Sequence, residues 1–375
     1  MNILEVVFSH TWGGLEMQAC RMSEKLGNRE YNVLVAAPEG TNIISTCKKA
    51  GLKTVCMKPF LKYLDVITAI KISRLIKKNK IDIIHCHSSK DLSTLVLAKK
   101  FAGCGKIVFT QHMDSRFDKM DIFHKWVYKN VDNIVAVTRI MSQNIFEFTP
   151  ATINQIKYVH NGIDLNLYQP FRGKTIHNEY NIPETALIVG VIARLDRLKK
   201  QELLVEAAVD VLKEFPDTYF MIVGEETPGI GGEGYEKILN YKIKQRGLEK
   251  NFRITGFIDD VRPLISSLDV FALTSPNETF GLVLIESLAM RVPVIGSDNG
   301  GVPEIIEDGV NGFLIEPDNS VELADKLIKM LGDEDLRTKM GKKGQKIVNE
   351  KFDIDKKITE YERLFADLMI KDIGL

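Results

Sequence analysis

The run Ser275-Pro276-Asn277-Glu278-Thr279-Phe280-Gly281-Leu282-Val283-Leu284-Ile285-Glu286 follows a short apolar stretch, Val270 to Leu273, and carries a second apolar run at its end. A four-residue apolar segment bounded by turn formers reads as a buried strand, and the segment from Phe280 onward reads as a helix. Glu278 is then in the loop, and the amides of Gly281 and Leu282 lie in the first helical turn. Amides there lack intrahelical partners and stand at the positive end of the helix dipole, which suits a phosphate. Glu286 follows Glu278 by eight residues, at most roughly 12 Å along a helix rising 1.5 Å per residue. That separation suits a diphosphate with a sugar at each end.

The same strand-then-helix unit recurs along the chain. Leu187 to Ala193, Tyr219 to Val223, Phe252 to Thr255 and Val292 to Ile295 are further strands around it. An earlier set comprises Ile3 to Phe8, Val33 to Ala37, Ile81 to Cys86, Lys106 to Thr110, Asn133 to Val137 and Ile156 to Val159. A polar stretch with Pro170 and Gly173 separates the two sets and reads as a linker. Two β/α domains with parallel sheets follow. Asp353 to Ile370 spaces Ile354, Ile358, Tyr361, Leu364, Phe365 and Leu368 as one helical face.

Ligands bind open α/β sheets at the carboxyl edges of the strands. The strand Leu187 to Ala193 delivers Arg194 to such an edge, with Lys199 at the start of the following helix. An arginine fork and a lysine point charge together can neutralise a diphosphate leaving group. Arg197 and Lys200 read as solvated neighbours. After the first strand stands Ser9-His10-Thr11-Trp12-Gly13-Gly14-Leu15-Glu16, not the G-x-G-x-x-G turn of a dinucleotide dehydrogenase. Its two glycines let the backbone approach a ligand, and the helix that follows offers its amides to an anion.

The 375 residues, 45% hydrophobic and 27% charged, fit an ordinary globular protein of two or three domains. No secretory signal opens the chain and no eighteen apolar residues run together, so a cytoplasmic protein is expected. Five cysteines without a C-x-x-C pair read as free thiols. His85 and His87 flank Cys86 with no second ligand cluster, so they read as structural or cleft-lining and no zinc site is expected. Net charge is zero, yet residues 1–168 carry +9 and the remainder −9. That asymmetry suggests an anionic partner for the first domain.

Glu278-x7-Glu286 within E-T-F-G-L, Arg194-x4-Lys199 and Gly13-Gly14-x-Glu16 together resemble the retaining glycosyltransferases of family 4, the group 1 glycosyl transferases. Asn161-Gly162-Ile163-Asp164, Val223-Gly224, Thr255-Gly256 and Gly300-Gly301-Val302-Pro303-Glu304 extend the resemblance, in order, along essentially the whole chain. It implies the α/β GT-B fold, two Rossmann-like β/α/β domains facing each other across a cleft. The expected division is an acceptor-binding domain 1–168, a nucleotide-sugar domain 169–352, and a C-terminal helix 353–375 crossing back to the first domain.

The resemblance also implies roles. Glu286 would hold the donor ribose, Arg194 and Lys199 the diphosphate, and the Gly281 and Leu282 amides a phosphate. Glu278 would approach the donor sugar hydroxyls. In the first domain the Gly14 loop would reach the phosphate and His112 would lie beside the transferred sugar. Relatives often read His-Asp where this chain reads His112-Met113-Asp114. No cofactor or metal is implied, because Arg194, Lys199 and the amides can stabilise the leaving group. A front-face substitution with retention is implied, the leaving phosphate itself taking the acceptor proton.

The expected partners are a nucleotide-diphosphate sugar and an acceptor saccharide, lipid-linked in one reading, with no nucleic acid. The expected context is polysaccharide or glycolipid synthesis. A sugar-nucleotide 2-epimerase and a non-catalytic sugar-nucleotide-binding subunit are the alternatives. With donor groups in one domain and Gly14 and His112 in the other, domain closure is expected on binding. Lys71, Arg74 and Lys78 fall on one stripe of an amphipathic helix, with Lys77 adjacent, so peripheral contact with the inner face of the plasma membrane is a further expectation.

Overall fold

The computed structural model describes every residue except 62, 114–116, 172–174, 228–231 and 371–375. Asp114 and the linker residue Gly173 therefore lie outside the described residues. Two compact units result, Met1–Gly162 with Ile354–Leu375, and Ile163–Asp353.

The first unit holds β1 (Asn2–Val6), β2 (Asn32–Ala37), β3 (Lys53–Cys56), β4 (Ile83–Cys86), β5 (Lys106–Gln111), β6 (Asn133–Ala136) and β7 (Ile156–Tyr158). They form one parallel sheet in the order β3-β2-β1-β4-β5-β6-β7. Strand order reverses between β1 and β4, the place where a Rossmann-type sheet opens a crevice at its carboxyl edge. The helix Gly14–Gly27 buries Ala19, Cys20, Met22 and Leu26 on one face of the sheet. The last helix, Ile354–Ile370, covers the same face with Ile354, Ile358, Tyr361, Leu364, Phe365 and Leu368. Those six are the apolar positions that its helical spacing selects.

The second unit holds β8 (Ile188–Ile192), β9 (Tyr219–Val223), β10 (Phe252–Ile254), β11 (Val270–Leu273), β12 (Val294–Ser297) and β13 (Gly312–Ile315). Its order, β10-β9-β8-β11-β12-β13, is that of a Rossmann sheet, with the switch point between β8 and β11. Both units are thus Rossmann-like α/β domains.

Two strands are absent from the sequence reading. β3 is an edge strand whose residues are half-buried or exposed, so it lacks the apolar run of a doubly covered strand. β13 begins with a glycine that a side chain could not replace, since a Cβ on Gly312 would lie 2.2 Å from the Val294 carbonyl oxygen. A correction also applies at the decisive segment. The helix starts at Leu282, not near Phe280, and Gly281 precedes it as the N-cap with φ +90°. That left-handed backbone is open to glycine at little cost, and it ends the loop two residues later than apolar spacing suggests.

Candidate active site

In the second unit β8 and β11 lie side by side, so the residues that leave their carboxyl ends must meet. Arg194 leaves β8. Its carbonyl accepts from Gln201 Nε2 at 2.7 Å, and its guanidinium lies 3.6 Å from Asp196. Asp196 in turn accepts from the Leu198 amide at 2.8 Å and caps the short turn Arg197–Lys199. The Lys199 carbonyl is tied to β11 by Thr274 Oγ1, which donates to it at 2.7 Å. These bonds aim Lys199 at the loop after β11, where its Nζ meets Glu278 Oε2 at 2.6 Å. Lys200 instead pairs with Asp318 at 3.4 Å.

Glu278 is held by its backbone as well as its side chain. Its carbonyl accepts from Gly301 N–H at 2.8 Å. Gly300, at φ +63°, permits this approach: a Cβ there would lie 2.3 Å from the Glu278 carbonyl oxygen. The Gly300-Gly301 pair is therefore a backbone rest for the acidic loop. Glu286 is buried on the helix Leu282–Ala289, where Tyr168 OH donates to its Oε1 at 2.7 Å. Tyr168 is not recognisable from sequence, because a lone aromatic in a loop carries no pattern.

Arg194, Lys199, Glu278, Glu286, Gly281 and Leu282 thus all lie on the β8, β11 side of one sheet edge. Among them Lys199 and Glu278 are joined by a direct ion pair. The arrangement offers two cations, a helix start and a buried carboxylate, which together can hold a diphosphate and a pair of hydroxyls.

In the first unit Gly13 caps the helix that begins at Gly14, and buried Glu16 ties down the loop before it. Ser9 Oγ and Thr11 Oγ1 both donate to Glu16 Oε1, at 2.5 and 2.8 Å. Asp91, whose carboxyl meets the amide of Phe8 just ahead of this loop, is 8% exposed, with Oδ2 lacking a partner among the described residues. Burial pushes its carboxyl up to about 7, against the weaker pull of Lys90 and the Phe8 amide.

His112 follows β5 and is stacked on His87, with His112 Nε2 3.0 Å from His87 Nδ1. His87 Nε2 lies 2.8 Å from Glu5 Oε2, and His85 Nδ1 lies 3.1 Å from Glu5 Oε1. Burial alone raises the Glu5 carboxyl, but His85 and His87 outweigh it and hold it at about 2. Burial also depresses His87 and, more strongly, His112. The signal for Glu5 was present in the sequence as the single acid inside the apolar run Ile3 to Phe8.

Donor atoms of Glu5, His85 and His87 lie within 4.8 Å of one another, close enough for a metal ion. Their 2.8–3.1 Å separations are those of N–H···O bonds, and the remaining His85 nitrogen is taken by Thr110 Oγ1 at 2.8 Å. The cluster is satisfied as a hydrogen-bond network.

Comparisons with known proteins give the family and the fold. The family description "Glycosyltransferase Family 4" matches residues 12–167, and "Glycosyl transferases group 1" matches residues 173–347. The N-acetyl-alpha-D-glucosaminyl L-malate synthase of Bacillus anthracis is 28% identical over 315 residues, covering 82% of this chain and 80% of the relative. An Escherichia coli UDP-Gal:alpha-D-GlcNAc-diphosphoundecaprenol alpha-1,3-galactosyltransferase is 23% identical and covers 99% of this chain and 98% of its own. Among solved structures, Anabaena Alr3699/HepE in complex with UDP and glucose superposes with a TM-score of 0.87 at 22% identity, covering 97% of this chain and 99% of that one.

Proposed function

The chain belongs to glycosyltransferase family 4 and has the GT-B fold, and from that premise we propose that it transfers a sugar from a nucleoside diphosphate donor to an acceptor hydroxyl with retention. The observation that carries the reading is the cluster after β8 and β11: Arg194 and the Lys199–Glu278 pair beside a helix start, with Glu286 held by Tyr168. Arg194 and Lys199 neutralise the departing diphosphate, Glu286 takes the ribose, and Glu278 meets the sugar. Gly14 and His112 serve the phosphate and the transferred sugar from the first unit. The leaving phosphate accepts the acceptor proton, so no separate protein base is required.

UDP-sugars are the first donors to try, since the Anabaena neighbour is a complex with UDP and glucose. A donor panel with and without saccharide acceptors, read as nucleoside diphosphate release, tests the proposal. Acceptor-dependent release with an unchanged anomeric configuration and no loss of rate in EDTA supports it. Isomerised donor would favour an epimerase, and saturable binding without product a binding subunit.

Tyr168→Phe is expected to weaken donor binding about 2- to 13-fold, the ~0.5–1.5 kcal/mol of one hydrogen bond, with little change in kcat. Glu286→Ala shifts donor Kd in the same direction and further, whereas Glu278→Ala lowers kcat more than affinity. Donor Kd values by calorimetry check all three; an unchanged Kd for Glu286→Ala would contradict its ribose role.

The acceptor side of the reading is a lipid-linked saccharide, as the name of the Escherichia coli relative suggests, and it is reached at an anionic membrane surface. Among the described residues no helix is long and apolar enough to cross a membrane. The helix Val66–Asn79 buries Ala69, Ile72 and Ile76 and leaves Lys71, Arg74, Lys77 and Lys78 exposed. Before it, Phe60, Leu61 and Tyr63 are exposed, and Tyr63 packs edge-on against Phe123, next to exposed Ile122. An apolar rim beside cations at about 1 kcal/mol each suits a peripheral contact. Co-sedimentation with phosphatidylglycerol vesicles should exceed that with phosphatidylcholine, and should fall in high salt or on reversing those four charges. Equal recovery from both vesicles would remove the membrane contact and leave the transferase reading standing.

A further inference from the structure

Parallel register places Glu5 of β1 beside His85 of β4, and His85 beside Val108 of β5. Side chains alternate along a strand, so His87, Thr110 and His112 continue on that same face. The last helix closes over the far end of the row, where Tyr361 OH lies 2.9 Å from Thr110 Oγ1. Glu5 and His85 are completely buried, and His87 nearly so. In such surroundings every proton position is dictated by its neighbours.

The geometry points to Glu5 and His87 as positioning residues that fix the proton on His112. An ionised carboxylate only accepts, so His87 Nε2 must carry the proton that bonds Glu5 at 2.8 Å. A neutral His87 then has a bare Nδ1. That lone pair faces His112 Nε2 at 3.0 Å and is satisfied only if His112 is protonated there. His112 consequently presents an unprotonated Nδ1 to whatever docks on it. The low position of Glu5 and the depressed positions of His87 and His112 agree with these proton assignments.

The consequence for recognition is chemical. A bare ring nitrogen accepts from a hydroxyl and repels a phosphate oxygen, so the group seated on His112 is a hydroxyl of the sugar or of the acceptor. This last step rests on the glycosyl-transfer reading; the arrangement of protons does not.

The test is nitrogen-15 NMR on the full chain labelled at histidine, assigned with His112→Gln. At pH 7 His112 is expected as the neutral Nε2–H tautomer, with a nitrogen–nitrogen coupling through the hydrogen bond to His87 Nδ1. In His87→Phe that coupling is lost and the Nδ1–H tautomer of His112 appears. The wild-type spectrum alone decides the matter should the variant fail to fold. A wild-type His112 found as Nδ1–H or as imidazolium, absence of the coupling, or a stoichiometric metal by elemental analysis would each overturn the assignment. Absent sugar transfer with the expected spectrum would instead sink only the functional reading.

Discussion

Replacing Arg194 or Lys199 by alanine is expected to lower kcat/KM for transfer by about 30- to 900-fold, the ~2–4 kcal/mol that one charge-assisted contact to a leaving group supplies. Negative charge builds on the departing diphosphate as the glycosidic bond breaks, so contacts made there strengthen in the transition state. Lys199→Ala is expected to be the more damaging of the two. Lys199 sits 2.6 Å from Glu278, and its removal leaves that carboxylate without its cation, next to where the diphosphate is proposed to bind. The double variant Lys199→Ala with Glu278→Ala should therefore lose less than the two single effects combined, a coupling that a double-mutant cycle measures. Wild-type kcat/KM in both folded single variants would remove the assignment. Donor binding and melting temperature, followed in parallel, separate a lost contact from a lost fold.

Asp91→Asn is expected to stabilise the protein in mild alkali and to be nearly neutral in acid. The folded chain holds the Asp91 proton up to about pH 7, whereas the unfolded chain releases it near 3.8. Between those values the native state binds more protons, so stability falls as pH rises through the window and is lowest above it. The span corresponds to at most about 4 kcal/mol. Asparagine keeps an oxygen for the Phe8 amide and never ionises. Urea midpoints at pH 8 and pH 4 check this: a clear gain at pH 8 and only a small one at pH 4 are expected, and equal midpoints at pH 8 would show that Asp91 is not held protonated. Glu5 runs the other way. Its carboxyl lies below the unfolded value of 4.5, so its contribution is complete above that pH and is lost as pH falls from 4.5 towards 2, about 3 kcal/mol in all.

Much of the architecture is legible in one dimension. Strands buried on both faces announce themselves as Ile- and Val-rich runs, and eleven of the thirteen fall where such runs stand. The last helix buries the six residues that its 3.6-residue period selects. Arg194, Lys199, Glu278 and Glu286 are legible for a different reason: a strand end followed by a helix start is where an α/β sheet binds ligands, and each lies within a few residues of one. Periodicity failed at β3, because an edge strand needs no apolar run, and at Gly281, because a left-handed cap interrupts the helical spacing without changing its composition.

What the sequence by itself determined is therefore local: which segments become strands and helices, which face each buries, and which charged residues stand at strand ends. Tertiary structure alone decided which of these side chains meet. Lys199 and Glu278 stand 79 residues apart, Tyr168 and Glu286 118, and Glu5 and His87 82. The first pair is joined by a strand order that places β8 against β11 and the third by one that places β1 against β4, with a register that sets Glu5 beside His85; Tyr168 reaches Glu286 from a loop ahead of β8. Strand order and register follow from packing many elements at once, so a period of two or of 3.6 residues read along the chain carries no record of them.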